Sequence, residues 1–140
     1  MIETLIFYAG VGQLILVIVS LAIPYVLNWP EDTARLRPLT RQVFWTYAGY
    51  IWGTNLSFAL LSMISPTSLI DQSFLATAIT IYIFVYWLVR VVIQFTWFDR
   101  NDAPRGPRYA VGEVMLDGLF VCLTIIYGWA AYTNLSGASV

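Results

Sequence analysis

Four stretches of nearly uninterrupted apolar residues divide the chain, at residues 4–27, 42–64, 73–97 and 110–132. A bilayer core about 30 Å thick takes roughly 20 residues of helix, and a helix apolar all round belongs to lipid or to a membrane core. Each stretch is therefore predicted to be a transmembrane helix. The connections at 28–41, 65–72 and 98–109 are short, so consecutive helices run in opposite directions. The expected fold is an all-α integral membrane protein: one membrane domain over residues 1–140, with four transmembrane helices in an antiparallel up-down bundle. Glu3 stands where a cleaved leader would carry a basic residue, so the first stretch is expected to be a retained helix.

Polar punctuation sharpens the boundaries. Asn28, Trp29, Pro30, Glu31 and Asp32 combine a capping residue, an early proline and two acids, the signal for a short interfacial helix that Pro38 would end. Pro24 is expected to kink the first span near its end. Ser65-Pro66-Thr67-Ser68 reads as a tight turn, and residues 103–108 as an irregular one.

Charge then orients the bundle. Arg35, Arg37 and Arg41 border the first connection, Arg100, Arg105 and Arg108 lie in the third, and the 65–72 turn and both termini carry no basic side chain. Arginine accumulates on the cytoplasmic side of short loops, so loops 28–41 and 98–109 are expected to be cytoplasmic, with the outer loop 65–72 and both termini on the far side. Trp29, Trp45 and Trp97 fall at the cytoplasmic boundary and Trp129 near the other, where amphipathic rings settle. Seven basic residues, all arginine and none lysine, match a GC-rich codon bias, making a bacterial cytoplasmic membrane the default location.

Composition narrows the chemistry. A chain that is 59% apolar has too little polar surface to stay soluble as a monomer, and nothing in it addresses nucleic acid. With no histidine, the usual haem ligand and general base are missing; with no lysine, a Schiff-base cofactor has no attachment point. Cys122 is the single cysteine and reads as a small core residue. No cofactor and no metal is expected, while a bound lipid, quinone or pigment is compatible with the aromatic second and third spans.

Ionisable groups at membrane depth are expensive and mark sites by default. Arg90 and Gln94 lie four apart on the third span, as do Glu113 and Asp117 on the fourth, so each pair projects from one helix face. In an antiparallel hairpin turning at residues 103 and 104, Arg90 comes level with Asp117 and Gln94 with Glu113. This polar cluster is read first as a clamp between the two helices and second as part of a path for a proton, ion or anionic headgroup. Continuing such a path would require Gln13, Thr54, Asn55, Ser57 or Thr124. On the second span Gly49, Gly53 and Ser57 repeat every four residues, leaving a smooth groove for close helix approach, with Asn55 beside it needing a partner. Contact within the bundle is the first expectation for that groove.

No catalytic constellation emerges, and the functional expectation is a non-catalytic membrane subunit or assembly factor docked against a larger membrane protein complex. A small homo-oligomeric transporter or channel using Arg90, Glu113 and Asp117 is the alternative. A small membrane enzyme acting on a lipophilic substrate is the third. The partners implied are membrane lipid and other membrane subunits or further copies of the chain.

Overall fold

A computed structural model describes residues 2–97 and 106–136, and among them there is no strand. In chain order the helices are α1 (Ile2–Ser20), α2 (Ile23–Val26), α3 (Trp29–Thr33), α4 (Pro38–Ile64), a 3-10 turn at Thr67–Ile70, α5 (Phe74–Thr96) and α6 (Pro107–Ser136). Three of them, α1, α5 and α6, are long and apolar enough to cross a membrane. The remaining long helix, α4, has 27 residues, about 40 Å at 1.5 Å per residue. Thr46, Gly49, Gly53, Thr54, Asn55 and Ser57 dilute its hydropathy.

The first expected span is shorter than the apolar stretch implies. Its helix stops at Ser20 and resumes only as the single turn of α2. Pro24 has no N–H to give the Ser20 carbonyl and its ring crowds the preceding turn, so the chain tightens through Leu21 N–H to Ile18 O and Ala22 N–H to Val19 O. Asn28 then takes a left-handed conformation (φ 56°) that redirects the chain into α3, and its side chain caps nothing. Helix α3 ends at Thr33, before Pro38; that proline opens α4 instead, in the first turn, where a missing N–H is harmless. Arg100, Arg105 and most of the 98–109 connection lie outside the described residues, while α6 already begins at Pro107, three residues ahead of the expected 110.

Two helix pairs make up the packing, α1 with α4 and α5 with α6, and α1 also meets α6. Gly10 sets the first: a Cβ there would lie 2.8 Å from Met63 Cγ and 2.9 Å from the Ala59 carbonyl oxygen, so only hydrogen lets α1 and α4 approach this closely. Farther along, the Trp52 indole N–H donates to the Val17 carbonyl at 3.0 Å, so numbers rise along α1 as they fall along α4. In the second pair Trp87 stacks on Phe120 with centroids 5.4 Å apart, and Gly128 accommodates the edge of Phe84.

Sealed side chains cluster toward one end of the molecule. In α4 they are Phe58, Ala59 and Ser62; in α5 they run from Ala76 to Trp87; in α6 they begin at Phe120. All lie away from the arginine-bearing starts of α4 and α6. Shortness of α1 explains this, since its 19 residues cover about 28 Å and leave the first turns of α4 without that neighbour. The sealed end is latched by Asn134, whose side-chain amide donates to Leu69 O at 2.7 Å and Thr80 Oγ1 at 3.1 Å while its carbonyl accepts from Gln72 N–H. Large apolar side chains are exposed along the outward faces of the long helices, Ile18, Val114 and Met115 among them, a surface suited to acyl chains.

Candidate functional site

The centre of the packed half holds a polar hub with one member from each long helix. Gln13 of α1 is fully buried. Its amide nitrogen donates to Tyr127 Oη of α6 at 2.6 Å and to the Ala9 carbonyl at 3.3 Å. Its amide oxygen accepts from the Trp87 indole of α5 at 3.1 Å. Tyr127 Oη closes the set with Ser62 Oγ of α4. Because the phenol accepts from Gln13, its own proton is free for the serine, and each hub side chain has a partner. In a sealed apolar core such a network is stabilising only when complete. Gln13 and Trp87 are prominent in the sequence, but the hub is not, because Ser62 and Tyr127 lie in runs that read as ordinary lipid-facing helix. Helix periodicity was the available signal: Phe120, Leu123 and Tyr127 recur at the spacing of one inward stripe.

The expected intramembrane cluster is distributed over the less tightly packed half. Arg90 Nη1 donates to Gln94 Oε1 at 3.1 Å, one turn along the same helix. The guanidinium carbon sits 4.9 Å from the centroid of the Phe120 ring, within cation–π range. Asp117, one turn before Phe120 on α6, interacts electrostatically with Arg90. Glu113 lies a further turn toward the start of α6, half-buried like Asp117. Arg90 is thus held by an amide and an aromatic face, with the Asp117 carboxylate adding a favourable field, an arrangement suited to a charge at this depth.

Asn55 finds its partner inside the chain, accepting from Tyr86 Oη at 2.6 Å across α4 and α5. Phe58 meets the rings of Tyr82 and Tyr86 edge-on, so aromatic contacts join those helices. Beside the groove expected to receive a helix of the same chain, nothing among the described residues lies within 4 Å of a Cβ built on Gly49 or Gly53. Ser57 is exposed and bonds back to the Gly53 carbonyl. The close approach occurs at Gly10 instead. Ala9 and Gly12 flank Gly10 without the every-four-residue spacing of the α4 stripe. Thr54 and Thr124 also donate to carbonyls of their own helices, so of the neutral residues considered for a transport path these two and Ser57 bond locally, while Gln13 and Asn55 bond across helices. Cys122 lies on the exposed face of α6 and is not a core residue.

At the arginine-bearing end, Trp29, Phe44 and Trp45 form an edge-to-face cluster, with Trp29 and Phe44 centroids 5.0 Å apart. Buried Thr33 ties it together by donating to Trp29 O and accepting from the Trp45 indole. These bonds fix α3 against the first turns of α4. Comparison with known proteins finds no matching family model, no matching curated protein and no matching solved structure.

Proposed function

We propose that the chain crosses a bilayer four times as an antiparallel up-down bundle, with both termini outside and the arginine-bearing connections on the cytoplasmic side. In it the protein acts as a non-catalytic subunit that docks a helix of another membrane protein along α4. One observation carries the docking: Gly49, Gly53 and Ser57 form a small-residue face on α4 with open space beside both glycines. Helices in lipid associate by close packing at such faces, because burying apolar surface gains nothing against acyl chains. The polar residues of the packed half are engaged with one another, which favours a subunit over a conduit. Four crossings are supported by the length of α4 and by its alignment along α1.

The test is extraction from native membranes in mild detergent, comparing the wild type with Gly49→Leu/Gly53→Leu. Expected is a wild-type particle containing a second polypeptide, and a variant that runs alone with unchanged thermal stability. A discrete homo-oligomer that survives the substitutions would instead favour the transporter or channel built on Arg90, Glu113 and Asp117.

A further inference from the structure

The arginines at the start of α4 are more numerous and more rigidly mounted than orientation alone demands. Arg35 and Arg37 are exposed and Arg41 is half-exposed. Among the described residues none of the three makes an ion pair or a side-chain hydrogen bond. They stand on a segment braced by the Trp29, Phe44 and Trp45 rings and by Thr33, so their positions relative to α4 are set by the fold. Leu36 and Leu39 alternate with them and are 39% and 71% exposed. Exposed leucine beside unpaired guanidinium is ill suited to water. It fits a boundary where apolar groups enter acyl chains and cations meet phosphate.

We propose that Arg35, Arg37 and Arg41 form a binding surface for the headgroup of an anionic phospholipid, whose acyl chains lie along Leu36, Leu39 and the α4 flank. This rests on the reading that α4 starts at a bilayer face. A guanidinium offers a planar pair of donors to a phosphate, and the free N–H groups in the first turn of α4 add to the positive potential. Glu31 and Asp32, on α3, oppose it and leave the segment with a small net positive charge. A lipid is favoured over a soluble anion because the leucines supply the apolar half of the contact.

The test is native mass spectrometry of the full chain in detergent, titrated with dioleoylphosphatidylglycerol, dioleoylphosphatidylcholine or inorganic phosphate. Near a membrane surface each basic residue contributes roughly fivefold in affinity. Arg35→Gln/Arg37→Gln/Arg41→Gln should therefore weaken phosphatidylglycerol binding on the order of a hundredfold, and each single variant by about fivefold, with phosphatidylcholine binding unchanged. Glu31→Gln/Asp32→Asn should strengthen it severalfold. For the wild type, raising salt from about 0.05 to about 0.5 M should weaken the anionic lipid selectively as the charges are screened. Equal binding of the two lipids, retention of phosphatidylglycerol by the triple variant, or saturation by inorganic phosphate alone would each overturn the proposal. Absence of any lipid preference in a wild-type protein that still carries its docked partner would overturn this proposal and leave the subunit reading standing.

Discussion

Replacing Gln13 by leucine removes the acceptor of the Trp87 indole and a donor to Tyr127 in one step. Trp87 is 1% exposed, so no water replaces the lost acceptor. An orphaned buried donor costs about 1–3 kcal/mol, whereas interhelical hydrogen bonds in membranes average only about 0.6 kcal/mol and reach about 1.7. The lower membrane figure arises because a membrane-inserted unfolded chain finds other partners. Tyr127 keeps Ser62, so the orphaned indole dominates, and Gln13→Leu is expected to destabilise by about 1–2 kcal/mol. Tyr127→Phe should cost less, about 1 kcal/mol or below, because Gln13 retains the Ala9 carbonyl. The two changes together should fall short of their sum, since they share one hydrogen bond. Equilibrium unfolding in mixed micelles by SDS titration reads all three variants. Strict additivity, or a Gln13→Leu effect below about 0.3 kcal/mol, would refute the idea that a complete hub holds the four helices in register.

The glycines separate two kinds of position. Gly10→Ala should destabilise by about 1–3 kcal/mol in the same assay, because the added carbon meets the Ala59 carbonyl; Gly53→Ala, in open space, should be neutral or stabilising by up to about 1 kcal/mol. For the Arg90 setting, Asp117→Asn should lower detergent stability, and exchanging the two as Arg90→Asp/Asp117→Arg should recover part of the loss; unchanged stability in every case would show that their electrostatic contact contributes nothing. At the start of α5, Asp71 accepts from Ser73 N–H at 2.9 Å while Ser73 Oγ accepts from Ala76 N–H. Hydrogen bonds from the Ser73 side chain and backbone hold the Asp71 carboxyl below its ordinary value. A depressed carboxylate stabilises above the normal carboxylate range, and that contribution fades as pH falls through and below it. Amide protection at the first turn of α5, corrected for the intrinsic pH dependence of exchange, should therefore fall in acid in the wild type and lose that acid limb in Asp71→Ala.

Helical character and long apolar segments were legible because a bilayer solvent leaves a strong compositional record. Boundaries were less so. Pro24 was visible as a kink, yet whether a proline bends or ends a helix depends on what packs beside the freed Ser20 carbonyl. Pro38 was read as a stop and serves as a start, a distinction set by the conformation of Arg37. Pairing of Asn55 with Tyr86, and the arrangement of Ser62 with Tyr127, depend on rotation of each helix about its axis. In lipid that rotation leaves little amphipathic trace, because both the core and the solvent are apolar. The Gly49/Gly53 stripe was the visible small-residue signal, while the close approach of α1 and α4 falls at Gly10, which has no such repeat.

The α4 face is tested most directly by placing a photoreactive benzoylphenylalanine at Gly53 in native membranes, with the same residue at Val114, on the outer face of α6, as control. The account predicts an adduct from position 53 to a distinct polypeptide that also co-purifies with the unmodified protein, and only lipid adducts from position 114. Lipid adducts alone from both positions, or self-adducts from position 53, would contradict it.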